Sequence, residues 1–392
     1  MTTYPLAAST WGDEERQAAI DVLDSGQTTM GPKVREFEER FAEYFGARYA
    51  VMSNSGSSAN LLAVAALFFT REPKVKAGMT AIVPAVSWAT TYYPLTQYGL
   101  KLRFVDIDAD TLNFDLKALA EAIDDDVAVI FAVNLLGNPN DYTAIKALIG
   151  DRPITLLEDN CESMGATFGG RATGTFGAIG TYSTFFSHHM STMEGGVSVT
   201  DDEELYQLML SLRAHGWTRN LSWPNHLVEK DERSEFYELF RFILPGYNLR
   251  PLEMSGAIGI EQLKRLPGFI EQRRANAARF QELFSDVKGL RIQQETGQSS
   301  WFGFSLVLTP DAAVSRETVL AALKGEGVET RPVVAGNFYR NPVIRHLDYH
   351  PNPNLPNADE IHDRGFYIGN HHWDVRPDLE RLRQIVGQAI SG

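Results

Sequence analysis

Short apolar runs, each followed by a segment with helical spacing, recur through roughly the first two hundred residues and set the fold class. Tyr49–Ser53, Thr80–Pro84, Leu102–Asp106, Val127–Val133 and Ile154–Glu158 read as strands, and Gly180–Ser183 and Val197–Thr200 complete the set. A helix is expected from Ala59 and another over Trp88–Tyr98, with further helical patterns between the later strands. A strand covered on both faces reads as a continuous apolar run, and a parallel neighbour requires a crossover, usually helical. The alternation therefore predicts an α/β chain with a doubly wound, mostly parallel sheet and helices on both faces.

Two helices, Asp13–Ser25 and Pro32–Phe45, come first, joined by the polar loop Gly26-Gln27-Thr28-Thr29-Met30-Gly31. After the strands, Asp202–His215 reads as a helix and Ser222–Glu235 as a charged surface excursion. Pro251–Leu266 and Gly268–Phe284 are expected as two long helices. Beyond Leu290 the pattern changes: a strand over Ser300–Leu308, a helix over Arg316–Lys324, a strand over Thr330–Val334 and a final helix over Arg376–Ile390. The expected division is a large domain over 1–250, connecting helices over 251–285 and a smaller α+β domain over 286–392.

A chain of 392 residues with 44% hydrophobic and 22% charged residues has ample material for a core. With 36 basic against 50 acidic residues, its formal charge of −14 argues against nucleic-acid or anionic-membrane partners. A locally basic pocket for a small anion stays open. Cys161 is the one cysteine, so neither an internal disulfide nor an iron–sulfur cluster held by several thiolates is available. Asn60–Thr70 and Val127–Leu136 are too short to span a bilayer, and Met1–Trp11 lacks the pattern of a signal peptide. A soluble, cytoplasmic protein is expected.

Several segments could carry chemistry. Asn54-Ser55-Gly56-Ser57-Ser58-Ala59-Asn60 joins a strand to a helix, where free amides and a partial positive charge suit a phosphate. The same serines would also serve as ordinary caps. Glu158-Asp159-Asn160-Cys161-Glu162 follows an apolar strand, so its acids stand where parallel sheets bind ligands. A carboxylate there could hold a protonated ring nitrogen, or simply cap the next helix. Between Ser183 and Gly196 lie aromatics, the pair His188-His189 and the turn Glu194-Gly195-Gly196. Adjacent histidines on a strand point to opposite faces, so a general acid/base is a better reading than a metal site, with a structural histidine as the alternative. Any one arginine of Arg213–Asn220, Gly246–Pro251 or Glu329–Pro332 reads as readily as a surface ion pair, but three near helix or strand ends favour anion recognition. His371-His372 reads as structural.

Taken together and in order, these segments resemble the fold-type I, pyridoxal-phosphate-dependent sugar aminotransferases of DegT type, over the whole chain. The likeness rests on Gly26–Pro32, Gly56-Ser57, Trp88, Asp159, Glu162, Ser183, the Glu194-Gly195-Gly196 turn and Gly246–Pro251. It implies an aspartate aminotransferase-like fold and a cofactor site of Gly56, Ser57, Trp88, Asp159, Glu162, Ser183 and Asn248. In the family the aspartate pairs with the pyridine nitrogen, an aromatic stacks on the ring and the serine holds the phosphate. The asparagine at the Asn248 position reaches in from a neighbouring subunit, which implies a homodimer.

One departure matters most. The family carries a lysine five residues after that serine, and here the position is His188; no lysine occurs between Lys146 and Lys230. Lysine links covalently to the cofactor and then shuttles a proton; histidine can do only the second. This change marks a subgroup, the nucleotide-sugar 3-dehydratases. One type uses an iron–sulfur cluster, which a single cysteine excludes. The other acts on GDP-4-keto-6-deoxymannose, toward colitose and lipopolysaccharide O-antigen. Asn54–Leu61, Glu158–Ala166, Ser187–Gly196, Arg213–Leu221 and Leu244–Leu263 look like that type.

The resemblance implies pyridoxamine phosphate as the working cofactor, made from pyridoxal phosphate and glutamate. His188 would serve as base and then acid, the C3 hydroxyl would leave, and ammonia would be released. His215 and Arg250 would hold glutamate; Gly26, Gln27, Thr28, Thr29, Arg219 and Glu329 would hold the GDP-sugar. Guanine presents two neighbouring N–H donors, and a carboxylate such as Glu329 accepts both. The competing readings are a sugar 4-aminotransferase, against which His188 speaks, and a non-catalytic protein that binds pyridoxal phosphate.

Overall fold

The computed structural model describes residues 3–229 and 235–391; positions 230–234 of the expected surface excursion lie outside the described residues. Helices α1 (Asp13–Ser25) and α2 (Pro32–Phe45) form where expected. Gly26 closes α1 at φ 71°, in the left-handed region that glycine enters without a steric penalty. Strands and helices then alternate as β1 (Tyr49–Ser53), α3 (Gly56–Leu67), β2 (Thr80–Pro84), α4 (Ala89–Gln97), β3 (Lys101–Val105), α5 (Leu116–Ala122), β4 (Val127–Val133), α6 (Tyr142–Ile149) and β5 (Thr155–Asp159). A small ladder of β6 (Thr167–Phe168) and β7 (Arg171–Ala172) precedes β8 (Ile179–Ser183), β9 (Gly196–Thr200) and α7 (Glu203–Arg213).

The main sheet has the order β3-β2-β4-β5-β8-β9-β1. Only β9 runs against the direction of the other six strands, so the mostly parallel sheet forms as expected. Every residue of β2, β4 and β8 is buried, which explains the unbroken apolar run of β4. The carboxyl ends of β5 and β8, at Asp159 and Ser183, lie side by side in the sheet and open onto one crevice.

After α8 (Glu235–Glu238), the expected pair of long helices is a single helix, α9, over Glu253–Phe284. Pro267 costs α9 one backbone hydrogen bond. The buried stripe Leu263, Leu266, Phe269 and Ile270 continues across it, and that packing keeps the helix whole. A second sheet has the order β10-β11-β13-β12, from Leu290–Ile292, Gly303–Leu308, Gly365–Gly369 and Thr330–Arg331 respectively. All its pairings are antiparallel, and α10 (Arg316–Gly325), α11 (Pro356–Arg364) and α12 (Arg376–Ser391) accompany it. Its β11 starts three residues later than expected, because the amides of Ser300 and Phe302 bond Gly137 and Leu136 instead of a strand. β12 stops before Pro332, which has no N–H for a ladder. Phe280, Phe304 and Leu379 centre a core beneath this sheet, separate from the core around Leu62, Leu102 and Val129.

Candidate active site

A cavity of about 500 Å³ opens at the carboxyl ends of the parallel strands. One wall is the start of α3. Ser55 caps it, its Oγ accepting from the Ser58 amide at 3.1 Å, so the helix begins at Gly56 and not at the expected Ala59. The amides of Gly56 and Ser57 stand in the first turn, where no intrahelical acceptor exists, and both residues line the cavity. A Cβ on Gly56 would lie 2.7 Å from Ser183 Cβ, so glycine alone lets this helix end close against β8. Amides and the Ser183 hydroxyl together make an anion cradle.

Asp159 ends β5 and is 5% exposed. Its Oδ2 accepts from Asn60 Nδ2 at 2.9 Å and Thr91 Oγ1 at 2.8 Å, and its Oδ1 from the Cys161 amide at 3.1 Å. Three donors compensate a buried carboxylate and fix its direction. Trp88, the residue before α4, is 60% exposed and lines the cavity, where its indole offers a flat aromatic face. Glu162 accepts the Leu136 amide at 3.0 Å. Burial, reinforced by the charge of Asp159, pushes its carboxyl up to about 7.

His188 follows the end of β8 in a turn closed by its own amide on the Phe185 carbonyl, at 2.9 Å. Its ring packs between Phe185 and Phe302, with centroids 5.8 and 5.2 Å away. Burial, then the charge of Arg273, brings its pKa down to about 4, so the ring is neutral at pH 7 and free to accept a proton. His189 turns away from the cavity, and its Nε2 donates to the Ser300 carbonyl at 3.1 Å.

Of the residues singled out from sequence, Gly56, Ser57, Trp88, Asp159, Glu162, Ser183 and His188 line this one cavity. The others do not line it within one chain. Gly26, Gln27, Thr28 and Thr29 lie between α1 and α2, tied to the start of α9 through the Glu253 amide on the Thr28 carbonyl. Asn248, Arg250 and His215 form a group with Trp217: Arg250 Nε donates to Asn248 Oδ1 at 3.0 Å, the Arg250 guanidinium lies 5.8 Å from the Trp217 ring, and His215 packs 4.8 Å from it. Arg219 lines a second cavity, beside Met30 and Gly31. Glu329 stands near the first cavity's rim, where its Oε2 accepts the amide of Leu6, a lining residue, at 2.9 Å.

Sequence reasoning missed Thr90, Phe302 and Tyr367, which also line the cavity, and named Asn60, Ser187 and Arg331 only within longer segments. Asn60 stands one helical turn after Gly56, a spacing that could have flagged it. Tyr367 comes from the second sheet and Phe302 from the residue just before its β11, and neither carries a local signal. No lysine is among the lining residues. An anion cradle, an aromatic shelf and a buried carboxylate around one cavity suit a phosphorylated heteroaromatic ring with a protonated nitrogen. The room beyond, flanked by a neutral imidazole, suits proton transfer.

The sequence profile of the DegT/DnrJ/EryC1/StrS aminotransferase family matches residues 10–385. The GDP-4-keto-6-deoxy-D-mannose 3-dehydratase of Escherichia coli O55:H7 is 54% identical over 98% of this chain and 100% of its own. An E. coli GDP-4-keto-6-deoxy-D-mannose-3-dehydratase structure with bound hydrated PLP matches at TM-score 0.97 and 54% identity, over 98% of this chain and 100% of that one. A structure of GDP-4-keto-6-deoxymannose-3-dehydratase with a trapped PLP-glutamate geminal diamine matches at TM-score 0.96 and 54% identity, with the same coverage.

Proposed function

The chain belongs to the DegT/DnrJ/EryC1/StrS aminotransferase family, and from that premise we propose that it removes the C3 hydroxyl of GDP-4-keto-6-deoxy-D-mannose with pyridoxal phosphate as cofactor. The product is GDP-4-keto-3,6-dideoxy-D-mannose; glutamate aminates the cofactor and ammonia is released. One observation carries the reading: a cavity fitted for this cofactor presents His188 and no lysine. The relatives at 54% identity are named for this dehydration.

The fit rests on the narrow approach of Gly56 to Ser183, where only a backbone without a Cβ can meet the phosphate, and on Trp88 and a triply bonded Asp159 lining the same cavity. When bound, the cofactor supplies a primary amine and a ring that accepts electrons. Gly56, Ser57 and Ser183 hold its phosphate, and without a lysine this grip carries more of the binding. Trp88 covers one ring face. Asp159 keeps a proton on the ring nitrogen. Glu162 keeps a proton near neutrality and so can donate a hydrogen bond. His188 takes up a proton on its imidazole and returns one to the departing C3 oxygen, which then leaves as water rather than hydroxide.

The residues outside the cavity fit a homodimer in which Asn248, Arg250, His215, Arg219 and the 26–29 loop serve the neighbouring subunit's site. Phe236, Phe240, Phe242 and Leu252 are exposed, and Phe240 and Phe242 pack at 6.2 and 5.8 Å from Trp217, beside Arg250. Such an apolar belt is what a subunit interface would cover. The division into 1–250, 251–285 and 286–392 that we infer follows the two sheets and α9. Cytoplasmic location belongs to the same reading. Among the described residues no helix is long and apolar enough to cross a membrane.

The test supplies GDP-4-keto-6-deoxymannose and glutamate to the protein with pyridoxal phosphate and follows ammonia and 2-oxoglutarate. Both are expected to accumulate in equal amounts; 2-oxoglutarate without ammonia would instead mean amino transfer to the sugar. Glu329→Gln is expected to raise KM for the GDP-sugar much more than for glutamate, and equal effects would remove Glu329 from guanine recognition.

A further inference from the structure

Arg273 stands in the middle of α9 and is 4% exposed. Its Nη1 donates to the carbonyls of Phe302 at 3.1 Å, Asn370 at 2.8 Å and Trp301 at 3.5 Å. Among the described residues no ion pair joins it, so a buried cation is held by carbonyls alone. Neutral donors could satisfy carbonyls without bringing a charge into the interior, where an uncompensated ion is costly. The charge therefore calls for an explanation beyond the hydrogen bonds.

What Arg273 grips is the segment leading into β11. Its consecutive carbonyls are all captured: that of Ser300 by His189 Nε2, that of Trp301 by Arg273 and by Asn370 Nδ2 at 2.9 Å, and that of Phe302 by Arg273. The amides of Ser300 and Phe302 bond Gly137 and Leu136 at 3.0 and 2.9 Å. Trp301 is held at φ 50°, a left-handed geometry that a non-glycine residue keeps only when its surroundings impose it. The end of this pinned segment is Phe302, whose ring forms the wall against His188.

We propose that Arg273 is a positioning residue for the proton-carrying imidazole: it fixes Phe302 against His188 and sets a positive charge near that ring. The consequence is chemical. A nearby cation keeps the imidazole unprotonated and ready as a base, and once the ring has taken a proton, the same cation makes it a stronger acid toward a poor leaving group. Asp159, Cys161, Glu162, Glu194, Arg331 and Tyr367 share the cavity with His188, while His189 and Arg273 do not line it, and the Arg273 charge acts on the His188 ring.

The inference rests on His188 as the proton carrier, and its test is read without turnover. Histidine-labelled protein free of cofactor is titrated by NMR, with the His188 signal assigned by its loss in His188→Asn. Wild-type His188 is expected to titrate well below 6.5; a value at or above 6.5 overturns the proposal whatever the reaction proves to be. In Arg273→Gln the titration is expected to rise by about one unit or more, a tenfold change in proton affinity. The acid limb of kcat in the holoenzyme is expected to move with it, while KM for the sugar changes little. A folded Arg273→Gln with unshifted titration and limb overturns the proposal. Should that variant fail to fold, Arg273→Lys keeps the charge while losing the planar fork. It is expected to leave the titration within about half a unit of wild type and to lower kcat about tenfold, and a titration raised as far as one expected from Gln would contradict the role given to the charge. Absence of the dehydration, with the titration behaving as stated, would overturn the proposed function and leave the role of Arg273 standing.

Discussion

At His188 a single side-chain type decides between two chemistries. The ring lies in a cavity otherwise fitted for a cofactor that lysine normally anchors, and its neutral state follows from burial beside Arg273. Replacing it by asparagine removes the proton carrier and leaves the cradle intact. His188→Asn is expected to lower ammonia release by about 10²- to 10⁴-fold, with pyridoxal phosphate still bound, as measured by coupled assay and absorbance titration. His188 was legible in the sequence because the residues around it, from Ser183 to the paired glycines, fix its register. Asp159 was legible because it follows an apolar run, and an apolar run in a parallel sheet ends at the ligand side; Ser183 was legible from the resemblance alone. Arg273 and Phe302 were not legible. Their meeting with His188 depends on chain segments about a hundred residues apart, and nothing in their local sequence signals it.

Among the elements, α3 shows how tightly the cradle is built. Its first residue has space for a hydrogen and for nothing larger, with Ser183 Cβ 2.7 Å from where a methyl would stand. Gly56→Ala must push α3 and β8 apart. The expected cost is about 1–3 kcal/mol of stability, with a loss of at least about tenfold in cofactor affinity, read by thermal unfolding and equilibrium titration. An affinity equal to wild type would mean the phosphate is held elsewhere. The strands of the main sheet were legible, because burial writes itself largely as apolarity; the short β6, β7 and β10 and the glycine-flanked β13 were not. Boundaries failed where one residue outweighed the pattern. Ser55 started α3 early, and the amides of Ser300 and Phe302, committed to Gly137 and Leu136, delayed β11. α9 failed differently: Pro267 looked like a stop, and burial on both sides of it prevailed.

Across the whole molecule, two properties follow. If Arg250 and Asn248 act in the partner's cavity, two inactive variants can repair each other. Co-expressed His188→Asn and Arg250→Ala subunits should form hybrid dimers with one intact site, giving about a quarter of wild-type activity on random pairing. No recovery would place both residues in the same site. The second property is acid sensitivity. His188, His371 and His372 are brought down to about 4 by burial and Arg273, and His189 is lowered too. Their folded values lie below the unfolded 6.5, so the unfolded chain binds more protons in this window, and stability is lost as pH falls from 6.5 toward 4. Glu162, raised to about 7, works the other way, losing stability as pH rises from 4.5 through 7. Burial also lowers His350 and His362 and raises Asp106 and Glu158, so six imidazoles stand against three carboxyls, and Tm is expected to drop between pH 6.5 and 4.5 in calorimetry, and less in Arg273→Gln.

Mass spectrometry of the sugar product tests the central claim most directly. GDP-4-keto-6-deoxymannose incubated with the protein, pyridoxal phosphate and glutamate should lose one oxygen at C3 and keep its C4 ketone. A product carrying nitrogen at C4, with the C3 oxygen retained, would contradict the account and make His188 a substitute for lysine in amino transfer.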